Sequence, residues 1–225
     1  MSSESRPSEF SLAGAEFVKE AHLISELPPD SGAEIAFAGR SNAGKSSAIN
    51  AFCNRRKLAR TSRTPGRTQQ FVVFEFSPGR RFIDLPGFGY AKVSKSKRQH
   101  WDHEIPAYLE SRRSLIGLVL VIDSRHPLKE QEQEFLSWCG AAGLPTLLLL
   151  NKCDKLNQRE TAQTLRLIRP HVDNFSDLIT VQMFSATART GLEKALSTIA
   201  GWYGGLGLKR APVSDLGDLK KPGSL

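Results

Sequence analysis

The sequence predicts an α/β fold in which a mainly parallel sheet carries helices on both faces. Apolar runs alternate with segments of helical periodicity along most of the chain, which is typical of strands joined by crossover helices. Two of the runs, 115–122 and 146–150, are continuously apolar, as expected of strands buried on both faces of a sheet. The length of 225 residues suits a single such domain with short tails.

The local pattern places each element in order. We expect strands at residues 33–38, 71–76, 80–84, 115–122, 146–150 and 179–183, with an additional edge strand within 16–24. The second and third of these strands form a hairpin, because Ser77, Pro78 and Gly79 favour a tight turn between them. Helices are predicted at residues 45–54, 93–113, 129–140 and 159–168, and a last helix begins with a capping box from Thr190 to Glu193.

The two ends of the chain differ from this pattern. Residues 1–14 are rich in Ser, Glu and Pro and are predicted to be disordered, while residues 204–225 are predicted to form a flexible basic tail. The folded domain is therefore expected within residues 15–203. The start lacks the pattern of a signal peptide, and no apolar run could span a bilayer, which favours a cytoplasmic protein. We also expect a monomer.

The turn after the first core strand has the spacing of a phosphate-binding loop. Residues 39–46 have the sequence GRSNAGKS, which fits G-x-x-x-x-G-K-[ST] between a predicted strand and a predicted helix. In that context backbone N–H groups cradle phosphate oxygens, Lys45 reaches the β- and γ-phosphates, and the Ser46 hydroxyl ligates Mg²⁺. The predicted phosphate-binding residues are Gly39, Arg40, Ser41, Asn42, Ala43, Gly44, Lys45 and Ser46.

A second phosphate motif of the form D-x-x-G follows the strand at 80–84, about forty residues further on. It consists of Asp84, Leu85, Pro86 and Gly87. We expect Asp84 to hold Mg²⁺ through water and the Gly87 N–H to bond the γ-phosphate.

The strand at 146–150 ends in an N-K-x-D motif, which indicates guanine recognition. It consists of Asn151, Lys152, Cys153 and Asp154. The Asp154 carboxylate can accept hydrogen bonds from N1–H and the exocyclic amine of guanine, whereas adenine would leave it unpaired. Asn151 is expected to bond N7 and to brace the phosphate loop, and the aliphatic stem of Lys152 to cover the purine face.

A further guanine motif follows the strand at 179–183. It consists of Phe184, Ser185 and Ala186, and the Ala186 N–H is expected to meet the base O6.

Together with the segment RTPGRTQ at 63–69, these motifs resemble the TRAFAC-class GTP-binding proteins and, more narrowly, the bacterial EngB family, over residues 17–203. The resemblance implies a Ras-like P-loop NTPase fold with one extra N-terminal strand, and hydrolysis of GTP to GDP with Mg²⁺. It also implies a role in assembly of the large ribosomal subunit and a requirement for normal cell division and septation. By the same resemblance, Thr68 contacts Mg²⁺ and the γ-phosphate, within a switch segment of Gly66, Arg67, Thr68, Gln69 and Gln70.

The residue after D-x-x-G is unusual for hydrolysis. Ras-like enzymes that orient water directly carry glutamine there, whereas this chain has Phe88, which cannot bond water. The intrinsic rate should therefore be low. Either a partner supplies a polar group, or Asn42 holds a K⁺ ion that replaces an arginine finger. The candidate catalytic residues are Asn42, Lys45, Thr68 and Gly87.

The net charge of +8 favours a polyanionic partner, with nucleic acid as the first candidate. Basic residues cluster at 55–67 and again at 92–103, on both sides of the expected switch segments. We therefore expect the large ribosomal subunit and its RNA as partners. Two alternatives remain: a GTPase of tRNA modification, which would need a fused domain, and a GTP-binding module in division with little hydrolysis.

Overall fold

The computed structural model describes residues 11–60, 70–88 and 95–206, with the backbone alone at 95–102 and 205–206. A seven-stranded sheet forms its centre, in the order β1-β3-β4-β2-β5-β6-β7. The strands are β1 Glu16–Ala21, β2 Ala33–Ala38, β3 Phe71–Ser77, β4 Arg80–Asp84, β5 Leu115–Asp123, β6 Thr146–Asn151 and β7 Ile179–Met183. The five strands from β4 to β7 are parallel, whereas β3 runs antiparallel to β4 and β1. The predicted hairpin and the predicted edge strand are both confirmed.

Within the described residues, five α-helices connect or follow these strands. They are α1 Lys45–Phe52, α2 Lys95–Ser111, α3 Glu130–Ala141, α4 Gln158–Val172 and α5 Leu192–Gly201, and a π-helical turn at Trp202–Leu206 continues α5. Each predicted helix is found in its predicted order, with bounds that differ by a few residues. The predicted α/β class is therefore confirmed.

Alternate residues of the central strands enter two separate cores, as the period-2 geometry of a strand requires. On one face, Ile35 and Phe37 of β2 pack in a cluster with α1 and α5. On the other face, Ala36 and Ala38 pack in a cluster with α2, α3 and α4. Helices cover both faces of the sheet, which explains why β5 and β6 have uninterrupted apolar runs at 118–122 and 147–150.

The start of α5 differs from the prediction. Its N-cap is Gly191, with φ of 72° and no capping side chain, so the predicted capping box at Thr190 is wrong. A Cβ at Gly191 would lie 2.4 Å from the Met183 carbonyl oxygen. Close packing of the backbone against the end of β7 thus decides this turn, and a side-chain cap is not used.

The described domain also extends slightly beyond the predicted bounds. Leu12 is buried in the core cluster that contains α1 and α5, so that part of the predicted N-terminal tail is packed. At the other end, the π-helical turn continues past residue 203. The rest of both predicted tails lies outside the described residues. Within the described part of the chain, no helix has the length and apolar character needed to cross a membrane.

A buried charge network lies at the amino ends of the parallel strands. Glu34 of β2 is fully buried and receives hydrogen bonds from Arg112, at 2.7 and 2.9 Å, from Arg81 at 3.3 Å and from the Tyr108 hydroxyl at 3.2 Å. Arg112 and Arg81 also donate to backbone carbonyls of residues 28–31. Both carboxylate oxygens of Glu34 therefore have partners inside the protein.

Candidate functional site

The candidate site lies at the opposite, carboxyl edge of the same sheet. Loops that follow β2, β4, β6 and β7 carry the four predicted motifs, and the parallel arrangement brings them to one edge. In open α/β sheets this edge is where ligands bind.

The loop after β2 depends on glycine for its shape. Gly39 and Gly44 have φ of 146° and 104°, and Asn42 between them is left-handed at 66°. A Cβ at Gly39 would lie 2.2 Å from the Val121 carbonyl oxygen, and one at Gly44 would lie 2.3 Å from Asn151 Nδ2. The glycines therefore allow a tight turn between β2 and α1, and Lys45 is the first residue of α1.

Lys45 and Asp84 meet below this loop. The Lys45 Nζ donates to the Gly39 carbonyl oxygen at 3.4 Å and lies 4.0 Å from Asp84 Oδ1. Both residues are buried, with 8% and 2% of their surface exposed. Burial raises the pKa of Asp84 to about 6, against the lowering effects of the Lys45 charge and of a hydrogen bond with Ser46.

The two oxygens of the Asp84 carboxyl group differ in their hydrogen bonding. Asp84 Oδ1 is buried and has no hydrogen-bond partner among the described residues. Such orphaned groups are rare in folded proteins and point to an ion, water or ligand at the site. An anionic oxygen beside the Ser46 hydroxyl is the kind of donor set that Mg²⁺ takes together with phosphate oxygens. The described residues contain no cluster of three or more His, Cys, Asp or Glu that would hold a metal without a ligand's help.

The D-x-x-G loop lies against the phosphate loop. A Cβ at Gly87 would lie 3.1 Å from Ser41 Oγ and 3.3 Å from Lys45 Nζ. The Ser41 N–H donates to the Phe88 carbonyl oxygen at 3.4 Å. The Phe88 ring stacks on Phe135 of α3, with centroids 5.4 Å apart and an interplanar angle of 13°. Phe88 is therefore part of the packing between this loop and α3. Leu85 and Pro86 join the loop to β4.

Asn151 connects the predicted base site to the phosphate loop. Its Nδ2 donates to the Ala43 carbonyl oxygen at 2.8 Å, so the predicted bracing of the loop is found. Its Oδ1 accepts from the Ala186 N–H at 3.2 Å. The structure thus pairs Ala186 with Asn151, and the predicted contacts of these two residues to base O6 and N7 stay predictions.

Asp154 is held as an acceptor on the same side. The Ser185 hydroxyl donates to its Oδ1 at 2.6 Å, and Lys155 lies 3.1 Å from Oδ2. The Ser185 hydrogen bond, followed by that of Lys155, lowers the pKa of Asp154 from its ordinary value. The carboxylate is therefore charged at neutral pH. Phe184 stacks on Phe52 of α1, at 5.6 Å between centroids, and accepts from the Cys153 N–H through its carbonyl.

Asp123, at the end of β5, was not predicted to belong to the site. Lys152, in a left-handed backbone conformation, donates from Nζ to Asp123 Oδ2 at 2.8 Å and to the Asn42 carbonyl oxygen at 2.7 Å. Burial raises the pKa of Asp123, but hydrogen bonds from Arg125 and Lys152 outweigh burial and hold that pKa well below its ordinary value. Its position in the sheet is what identifies Asp123: it is the last residue of β5, which pairs with β6, and it lies in register with Asn151 of the N-K-x-D motif.

Of the predicted switch segment at 66–70, Gln70 is the residue that lies within the described part of the chain. Gly66, Arg67, Thr68 and Gln69 lie outside the described residues. The side chain of Gln70 contacts the His22 ring, at the edge formed by β1 and β3. The nucleotide contact predicted for Gln70 stays a prediction.

Known proteins share both the sequence and the fold. The family described as 50S ribosome-binding GTPase matches residues 34–152. The probable GTP-binding protein EngB of Stenotrophomonas maltophilia is 48% identical over 191 residues, which cover 84% of this chain and 96% of that protein. The corresponding protein of Glaesserella parasuis is 45% identical over 187 residues, covering 83% and 90% of the two chains.

Two solved structures have the same fold. A probable GTP-binding protein engB gives a TM-score of 0.62 at 24% identity, over 76% of this chain and 98% of that one. A GTP-binding protein from Sulfolobus solfataricus in complex with GDP gives 0.54 at 22% identity, over 77% and 53%. The matched family model, the curated relatives and the loops at the carboxyl edge agree, and this chain belongs to the EngB family of P-loop GTP-binding proteins.

Proposed function

We propose that this protein is a GTP-driven switch that binds GTP with Mg²⁺ at the carboxyl edge of the sheet and hydrolyses it slowly to GDP and phosphate. The observation that carries the proposal is the buried Asp84 carboxylate beside Lys45 and Ser46, whose Oδ1 accepts no hydrogen bond from the described residues. A buried carboxylate oxygen without a hydrogen bond is costly, and a cation such as Mg²⁺, bound together with the nucleotide, would stabilise it.

Each group around Asp84 has its own role in binding the phosphates and Mg²⁺. The N–H groups of the loop at 39–46 and the start of α1 present positive partial charge to phosphate oxygens. Lys45 adds a full charge, and Gly87, whose Cα lies close to Ser41 and Lys45, would donate its N–H to the γ-phosphate. Ser46, Asp84 through water, and Thr68 would hold Mg²⁺. When bound, this ion neutralises charge on the β- and γ-phosphate oxygens.

Selectivity for guanine is assigned to Asp154. Ser185 keeps the carboxylate charged and oriented, and Lys152 extends from the base side to the phosphate loop, so its stem can cover the purine. We expect Asp154→Asn to weaken GTP binding at least 100-fold, because the asparagine amide cannot accept from both guanine donors. The same amide can donate to the C2 carbonyl of xanthine, so the variant should gain affinity for xanthosine triphosphate. Titration with fluorescent nucleotides measures both effects; unchanged preference for GTP would contradict the assignment.

Hydrolysis needs a water-orienting group from outside the D-x-x-G loop, since Phe88 is stacked on Phe135. We propose that Asn42 holds a K⁺ ion for this role, or that a ribosomal partner supplies a polar group. The test is the rate of single-turnover hydrolysis in K⁺ and in Na⁺, for the wild type and for Asn42→Ala. Faster hydrolysis in K⁺ that is lost in the variant supports the ion. Equal rates in both salts exclude it, and stimulation by purified large subunits then tests the partner.

The partner proposed for the switch is the large ribosomal subunit or its precursor, with consequences for cell division and septation. Support comes from the resemblance to the EngB family, the matched family of 50S ribosome-binding GTPases and the net charge of +8. We propose that the protein acts as a monomer in the cytoplasm. Sucrose-gradient fractionation of cell extracts with a non-hydrolysable GTP analogue or with GDP tests the partner. Cosedimentation with large subunits in the GTP form alone is expected, and identical profiles would contradict a switch.

A further inference from the structure

A compact set of cations lies at the far end of the helix that begins at the phosphate loop. Four cations occur within residues 54–60, a stretch without an acidic residue. A fifth, Arg189, comes from the loop after β7 and donates to Asn54 Oδ1 at 3.1 Å. All five side chains are exposed, and we call this set the basic platform: Arg55, Arg56, Lys57, Arg60 and Arg189.

The backbone beneath the basic platform is fixed by a buried asparagine. Asn50 of α1 donates from Nδ2 to the Ala59 carbonyl oxygen and accepts the Ala59 N–H on Oδ1, both at 2.8 Å. Two hydrogen bonds from one buried side chain hold both polar groups of a residue nine positions further along the chain. The loop therefore closes back on α1 at a defined point.

Further contacts fix the same loop to the core. The Ala59 side chain is buried in the cluster that contains α1, and Leu58 packs against that cluster. The Arg55 N–H donates to the Asn50 carbonyl oxygen at 2.9 Å, and its guanidinium to the Ala15 carbonyl oxygen at 3.4 Å. The four cations of this loop are thus attached to a backbone that is hydrogen-bonded to α1 and packed against the core.

The described side chains do not neutralise the charges of the basic platform. Among residues 11–60, 70–88 and 103–204, whose side chains are described, none of the ion pairs involves any of the five cations. In contrast, Arg81, Arg112 and Arg125 each pair with a carboxylate. Four of the five platform cations are arginines, whose planar guanidinium matches the geometry of a phosphate group.

We propose that the basic platform is a preformed docking surface for the phosphate backbone of RNA, with the same shape in the GTP and GDP forms. It rests on the proposed function, because the ribosomal subunit is the expected source of that RNA. RNA fits better than a lipid surface, since the only large apolar side chain of the loop, Leu58, packs against the core and leaves nothing to insert. Recognition by phosphate contacts gives binding that depends on salt and is independent of sequence.

The surface can be tested with a fluorescein-labelled RNA hairpin of about 20 base pairs, long enough to offer a continuous run of backbone phosphates. Its dissociation constant is measured from low to high KCl for the full chain, with GDP and with a non-hydrolysable GTP analogue. The variant is Arg56→Ala, Lys57→Ala and Arg60→Ala together. A matched control replaces three exposed arginines of α4 that are also without an ion pair among the described residues: Arg159→Ala, Arg166→Ala and Arg169→Ala.

We expect the platform variant to bind the hairpin 10- to 100-fold more weakly and to lower the salt slope by about 1 for each lost phosphate contact. The loss should be equal with either nucleotide, and the α4 control should bind as the wild type does. Asn50→Ala keeps every charge but releases the loop, so it should lose affinity severalfold at an unchanged salt slope. An unchanged platform variant, an equal loss in the α4 control, or a loss seen with one nucleotide only would overturn the proposal.

Two further measurements separate this proposal from the proposed function. Poly-glutamate that competes with the hairpin as well as unlabelled RNA does would assign the basic platform to acidic proteins and overturn the RNA proposal. A wild type that binds the hairpin through the platform but never cosediments with large subunits would contradict the ribosomal role alone. A platform variant that binds the hairpin as the wild type does, while both cosediment normally, would contradict the platform alone.

Discussion

The two ends of the central sheet both bury a carboxylate among cations, yet they differ in how completely that carboxylate is bonded. At the amino end, both Glu34 oxygens receive donors from Arg81, Arg112 and Tyr108. At the carboxyl end, Asp84 Oδ1 has no hydrogen-bond partner among the described residues, although Lys45 lies 4.0 Å away. A buried charge is therefore a sign of function when its bonding is incomplete, and a sign of architecture when it is complete.

The largest effect is expected at the amino end. Glu34→Ala leaves two guanidinium groups buried without their carboxylate, and breaking a buried pair in this way typically costs about 3–5 kcal/mol of unfolding free energy. Urea or thermal unfolding measures the loss. GTP affinity of the folded fraction should not change, because Glu34 lies at the edge of the sheet opposite the nucleotide loops. Glu75→Ala is the control: it removes a more exposed partner of the same Arg81, and should cost less than about 1 kcal/mol. If Glu34→Ala and Glu75→Ala lost similar amounts of unfolding free energy, the fully buried Glu34 would be no more important to stability than the more exposed Glu75, and the account would be contradicted.

In the nucleotide-free protein, Asp84→Asn is expected to raise the free energy of unfolding, whereas Glu34→Ala lowers it. With a pKa raised to about 6, folded Asp84 holds a proton between about pH 4 and 6 that the unfolded chain has released, so stability falls as pH rises through that interval. The rise of the Asp84 pKa corresponds to about 3 kcal/mol of unfolding free energy at pH 7.5. The neutral asparagine should recover this stability. Mg²⁺-dependent GTP binding should weaken in the same variant.

Urea unfolding of the wild type and Asp84→Asn at several pH values measures the gain in stability, and nucleotide titration measures the loss of GTP binding. The exposed Asp177→Asn is a suitable control and should change stability by less than about 0.5 kcal/mol. An Asp84→Asn variant that is less stable than the wild type at pH 7.5 would show that Asp84 is structural, as Glu34 is.

A smaller effect is expected for Asp123→Asn, which weakens the hold on Lys152. A charge-assisted hydrogen bond in a partly buried site contributes about 1.5–3 kcal/mol. We therefore expect dissociation of a fluorescent GDP analogue to accelerate about 10- to 100-fold. In a Lys152→Ala background the same change should have little effect, because Asp123 acts through Lys152. Additive effects in the double variant would mean that Asp123 acts on the nucleotide by another route.

The carboxyl end was largely predictable from sequence, and the amino end was not. Gly39 to Ser46, Asp84 to Gly87 and Asn151 to Asp154 are short contiguous motifs, and their chemistry is fixed by residue type and spacing. Glu34 meets Arg81 and Arg112 from positions 47 and 78 residues away, so no local pattern announces the network.

The errors have the same origin. The capping box at Thr190 was a sound local pattern, but packing of Gly191 against Met183 and Gln182 determines the turn. Asp123 directly follows the predicted strand at 115–122, and no local pattern marks it as a partner of Lys152, because only the pairing of β5 with β6 brings the two together. Tertiary contacts therefore correct the local predictions at the ends of elements, where side chains from different strands meet.

The central claim is that guanosine triphosphate and Mg²⁺ complete the carboxyl end, and calorimetric titration of the wild type with Mg²⁺·GTP and Mg²⁺·ATP tests it most directly. The phosphate groups are the same, so any difference reports the base site. We expect GTP to bind on the order of 10³-fold more tightly or better, because ATP would leave the Asp154 carboxylate without donors. Affinities for ATP and GTP within tenfold of one another would contradict the account.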